Sequence, residues 1–177
     1  MHQKLIVEKI ASVLEATDST YDEKLTKLLD KASRIFVTGA GRSGLVARFF
    51  AMRLMHAGYQ VYIVGEIVTP SIQNGDLFIV ITGSGETETM IAFTKRAKAV
   101  GAQIVTISTR SQSTVADISD LVIQIGTPDQ FVKIASMPMG TTFELSTLIF
   151  LEATVAHIIH EKGIAEEVMR TTHANLE

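Results

Sequence analysis

The sequence predicts an α/β fold: a five-stranded parallel sheet flanked by helices, with an N-terminal helical arm before it and a long C-terminal helix after it. Three observations carry that expectation. Short, β-branched apolar runs recur at residues 34–38, 60–64, 77–82, 103–108 and 121–125, mostly without strict alternation, as in strands covered on both faces. Amphipathic segments at 43–57 and 86–100 separate them, each followed by a glycine, Gly58 or Gly101, where a helix would end. The connections are short, and right-handed strand–helix–strand crossovers then place helices on both faces of a parallel sheet.

The other elements follow in order. Leu5, Ile6, Val7, Ile10, Val13 and Leu14 recur at helical spacing, and Leu25, Leu28, Leu29 and Ala32 line one face of a second helix. Thr20 and Glu23 have the spacing of a capping box at that helix's start. A short helical turn is expected at 113–118, then a loop at 126–142, a helix from Phe143 to Lys162, a break at Gly163, a short helix and a tail. No repeat, linker or low-complexity stretch divides the 177 residues, so one domain is expected: an arm at 1–32, a core at 33–142, and C-terminal helices and tail at 143–177.

Composition narrows the function. With 16 basic against 19 acidic residues the net charge is −3, so no basic excess points to nucleic acid or to an anionic membrane. Any phosphate must be held locally. The absence of cysteine removes disulfides, thiolate nucleophiles and Cys-type zinc sites, and fits a reducing compartment. The N-terminal segment mixes charged and apolar residues, and the apolar runs are too short to span a bilayer. The expectation is a cytoplasmic protein.

Chemistry concentrates in three turns. Gly39, Gly41 and Gly44 of VTGAGRSG give the G-x-G-x-x-G spacing between a strand and a helix, and that turn also carries Arg42 and Ser43. Thr82 to Thr87, TGSGET, follows the third strand with Ser84, Gly85 and Glu86; Ser108 and Thr109 close the fourth. In open parallel sheets, ligands bind beyond the carboxyl ends of the strands. Helix N-termini there offer unpaired N–H groups and partial positive charge, so turns rich in glycine and hydroxyls suit a phosphomonoester. Alternatively, the glycines serve a tight turn and close packing, or they bind a dinucleotide, with Glu66 after the second strand accepting a ribose hydroxyl.

The glycine turn GAGRSG, the serine turn GSGET, five parallel strands and a helical arm together resemble the sugar isomerase (SIS) domain, which binds phosphosugars. Met137 to Glu144, MPMGTTFE, is similar to the P-M-G-[ST]-x-F-E segment of 6-phospho-3-hexuloisomerases, and the ending THANLE resembles that family's R-H-A-N-L-E, with Thr172 where arginine is usual. The resemblance runs from the first glycine turn to the C-terminus. It implies conversion of D-arabino-3-hexulose 6-phosphate to fructose 6-phosphate in ribulose monophosphate formaldehyde fixation, a homotetramer and no organic cofactor. A phosphosugar-binding regulator of the same fold is the alternative of another class, and a nicotinamide-dependent oxidoreductase is the third reading.

The reaction needs a base that removes the C2 proton of the 3-ketose and returns one to C3 of the enediolate, which a carboxylate on the sugar face can do. The resemblance points to Glu144; Glu66 is the rival. His173, in the tail, is a candidate to move a proton between O2 and O3, reaching a neighbouring subunit's site, and His56 is a secondary candidate. Gly41, Arg42, Ser43, Ser84, Gly85, Glu86, Thr87 and Ser108 are the expected substrate contacts. His157 and His160 lie one helical turn apart but match no metal-binding pattern, so no metal is expected. Phe49, Phe50, Met52 and Met55 read as core or subunit contacts.

Overall fold

A computed structural model describes residues 2–132 and 137–176. Helices α1 (His2–Glu15) and α2 (Tyr21–Lys31) precede β1 (Ile35–Gly39), α3 (Arg42–His56), β2 (Val61–Ile63), β3 (Leu77–Ile81), α4 (Glu88–Ala99), β4 (Gln103–Ser108) and β5 (Leu121–Gln124). Then come α5 (Thr141–Lys162) and α6 (Glu166–Thr171), with short 3-10 turns at Ala116–Ile118 and Pro128–Phe131. Each predicted strand forms at its predicted place, and every pairing is parallel, in the order β2-β1-β3-β4-β5. The order reverses between β1 and β3, which opens a crevice beyond their carboxyl ends.

The alternation of side chains along each strand divides the core in two. Ile35 and Val37 of β1, Ile79 of β3 and Ile107 of β4 face a layer built from α1, α2, α3 and α5, with Leu25, Phe50, Leu54 and Leu151 at its centre. Phe36, Phe78, Val80 and Ile104 face the other way, onto Met90 and Ala97 of α4 and Val115. Among the described residues α5 alone is long and apolar enough to cross a membrane, a length the interrupted apolar runs of the sequence conceal. It is a core helix here, burying Phe143, Phe150, Leu151, Val155 and Ile158.

Two local expectations are corrected. Thr20 stands at the N-cap of α2 but forms no capping box: its amide and hydroxyl both donate to Asp18 Oδ1 at 2.8 Å, and Glu23 pairs with Lys27. Both carboxylates are strong acceptors, but Glu23 is engaged by Lys27 at 2.6 Å, so Asp18 takes both donors. A capping box forms instead at Thr127 and Gln130, inside the segment expected to be plain loop, and Gln130 also donates to the Ser12 carbonyl of α1 at 3.1 Å. Helix α5 starts at Thr141 with left-handed Gly140 as its N-cap.

Candidate functional site

The turn after β1 is set by backbone clearance. A Cβ on Gly39 would lie 2.8 Å from the Ser43 carbonyl carbon, and one on Gly44 would lie 2.7 Å from the Gly39 oxygen. Strand end and helix start therefore touch directly, and Gly41 forms the N-cap of α3 at φ +56° without a side-chain capping bond. Ser43 is partly buried and Arg42 exposed at this open helix terminus. The close-packing alternative thus explains Gly39 and Gly44, while Gly41, Arg42 and Ser43 border the crevice.

In the second turn Thr82 Oγ1 accepts from the Gly85 amide and Ser84 Oγ from the Glu86 amide, each at 3.2 Å. Thr87 is the N-cap of α4, again without a side-chain capping bond. Thr87 and the exposed Ser84 stand at a second open helix terminus, with Gly85 buried between them. Glu86 turns away: its carboxylate accepts from the Thr114 amide at 2.9 Å and the Thr114 hydroxyl at 2.7 Å. Those bonds, the amide's first, hold Glu86 below the usual carboxylate range. Ser108 is fully buried and donates to the Gly83 carbonyl at 3.1 Å, so both residues brace the turn.

Glu144 lies in the first turn of α5, where Gly140 allows its carboxylate to fold back over the helix start. Arg42 Nε donates to Glu144 Oε2, joining the turn after β1 to α5; the carboxylate is mostly buried and the guanidinium mostly exposed. The rival acid, Glu66, pairs with Arg48 on the outer side of α3 and is about half exposed. Beside Glu144, a cavity of about 340 Å³ opens among Thr109, Phe131, Pro138, Met139, Thr142 and Phe143. A shallower one of about 210 Å³ lies between α3 and α5, lined by Arg42, Leu45, Phe49, Glu144, Leu145 and Leu148.

The histidines lie elsewhere. His56, in the last turn of α3, is 5% exposed and stacks on His173 with ring centroids 5.3 Å apart. At 1.5 Å per residue, the helix from Arg42 to His56 puts that pair about 21 Å from the Arg42–Glu144 pair. One chain therefore brings Glu144 to the glycine turn but leaves both histidines at the opposite end of α3. Glu177 of the tail lies outside the described residues. Among the described residues no cluster of metal-ligating side chains forms. The sequence reading passed over Arg48 and Thr114, and it named Thr109 only as part of a turn, because their partners lie 18 to 28 residues away.

Residues 28–155 match the SIS domain family. The chain belongs to the SIS domain family. A SIS relative from Methylomonas aminofaciens, called 3-hexulose-6-phosphate isomerase, is 57% identical over 178 residues, spanning 99% of this chain and 98% of its own. A Bacillus subtilis protein of the same name is 41% identical, over 88% of each chain. The crystal structure of a Methanococcus jannaschii protein, reported to infer a 3-hexulose-6-phosphate isomerase function, superposes with a TM-score of 0.89 at 36% identity over 99% of both chains. The SIS fold is thus shared from end to end, the helical arm and C-terminal helices included.

Proposed function

We propose that this protein is a 3-hexulose-6-phosphate isomerase, interconverting D-arabino-3-hexulose 6-phosphate and fructose 6-phosphate in the ribulose monophosphate route of formaldehyde fixation, in the cytoplasm. Relatives of that name at 57% and 41% identity support the reading. The observation that carries the chemistry is the meeting of an inward carboxylate, Glu144, with an arginine on the glycine turn beside two open helix termini.

The phosphate sits between the starts of α3 and α4, on the hydroxyls of Ser43, Ser84 and Thr87 and the backbone of Gly41, while Gly85, whose amide already donates to Thr82 Oγ1, lets the turn bend at φ +70°. Glu86 and Ser108 shape that cradle rather than touch the anion, since one is already hydrogen-bonded to Thr114 and the other to Gly83. Glu144 takes the C2 proton; the C–H electrons become the C2–C3 double bond, and the C3 carbonyl oxygen takes the negative charge. Arg42, beside the carboxylate, stabilises that oxyanion. A proton then moves from O2 to O3, Glu144 returns its proton to C3, and the carbonyl is left at C2.

The proton between the oxygens is the task for His173, with His56 behind it, and it requires a second subunit. On α3, Leu45, Phe49 and Met52 form an exposed apolar stripe, and Phe49 lies midway between Arg42 and His56. A two-fold axis through that stripe sets one subunit's histidine pair against Arg42 and Glu144 of the partner subunit. Two such pairs make the homotetramer.

The test is proton NMR of fructose 6-phosphate in D2O with the protein. Exchange of the C3 proton is expected, and exchange at C1 would point to aldose–ketose chemistry instead. Glu144→Gln should abolish exchange while fructose 6-phosphate still binds. Binding without exchange in the wild type, together with no turnover of 3-hexulose 6-phosphate, would make the protein a phosphosugar-binding regulator.

A further inference from the structure

The carbonyl of Gly83 is held unusually firmly for a loop group. It accepts from the Thr109 hydroxyl at 2.7 Å, the Ser108 hydroxyl at 3.1 Å and the Thr109 amide at 3.3 Å. All these donors belong to the end of β4, which lies on one side of β3; β1 and its glycine turn lie on the other. No peptide among the described residues is cis, and in a trans peptide the N–H points opposite to the C=O. The Ser84 N–H is therefore aimed away from β4, toward the crevice between the two phosphate turns. Among the described residues nothing accepts a hydrogen bond from it.

We infer that Thr109 is a positioning residue for substrate phosphate: by pinning the Gly83 carbonyl, it fixes the Ser84 N–H as a donor to the anion. This rests on the phosphosugar reading above. Thr109 touches no phosphate itself, and its hydroxyl sits on the far side of the peptide it orients. Without that bond the peptide is held less tightly, and the donor loses part of its preorganisation, not its chemistry. The Ser108 hydroxyl and the Thr109 amide remain in its absence, but at 3.1 and 3.3 Å they are the longer contacts, so the shortest of the three restraints is the one lost.

The decisive variant is Thr109→Val, which keeps the shape of the side chain and removes the hydroxyl. KM for fructose 6-phosphate and Ki for inorganic phosphate should each rise about tenfold, the worth of one well-placed hydrogen bond, while kcat changes much less. Thr109→Ser should restore both constants. Unchanged KM and Ki in Thr109→Val, or a loss confined to kcat, would overturn the inference. A second readout needs neither variant nor turnover: in selectively 15N-serine-labelled wild type, inorganic phosphate should shift the Ser84 amide resonance strongly. A Ser84 resonance indifferent to saturating phosphate overturns the inference even if the isomerase is active. A shifted resonance in a protein with no isomerase activity would leave the positioning role standing and remove only the enzymatic reading.

Discussion

At the scale of single residues, Gly140 governs the placement of Glu144, the proposed base. It holds φ +86°, and a Cβ there would come within 2.5 Å of Glu144 Oε1. Gly140→Ala should lower kcat about 100-fold through a misplaced carboxylate, with KM for fructose 6-phosphate nearly unchanged. Steady-state kinetics check this, and wild-type turnover would show that the carboxylate tolerates displacement. The sequence named Glu144 through its surrounding segment, yet the Arg42 contact spans 102 residues and has no local signature. The glycine motif was ambiguous for a related reason: mutual contact of Gly39 and Gly44 requires the same letters that a ligand would. Only coordinates separate the two causes.

Among the elements, α5 ties the two ends of the molecule together. Its first turn holds Glu144, and its last residue, Lys162, donates to Asp30 of α2 at 2.5 Å, a carboxylate shared with the Tyr59 hydroxyl. Partial burial works to raise the pKa of Asp30, but the two donors outweigh it and hold the carboxylate below its ordinary value. A depressed folded-state pKa means that the unfolded chain binds the extra proton first. The stabilisation is full above about pH 4 and fades as pH falls through the folded value. Asp30→Asn should cost about 1 kcal/mol at neutral pH, as expected for a partly exposed pair, and the difference from wild type should shrink below about pH 4. Urea denaturation between pH 3 and 7 measures both; a difference constant with pH would contradict the assignment. Strands and main helices were legible because periodicity is local. The misplaced capping box was not, because Asp18, outside the motif, competes for Thr20.

For the whole molecule, assembly and activity should stand or fall together. The histidine pair and the Arg42–Glu144 pair occupy opposite ends of α3, with exposed Leu45, Phe49 and Met52 between them. Phe49→Glu should yield a smaller species by light scattering, with turnover lost to the same extent. An assembled, inactive variant, or a dissociated, active one, would refute the shared site. Helix length made this separation calculable from the sequence, but only the fold showed that the tail lies at the same end as His56. The two faces of the sheet have a further consequence. Four helices cover one face, whereas on the other α4, with one short turn, packs over a much smaller apolar cluster. The smaller layer is the one that opens locally at least cost, and the serine turn is its leading edge. A phosphate bound at that turn, as proposed, would close this seam, and by thermodynamic reciprocity its affinity and the local stability of α4 would be a single free energy seen from two sides.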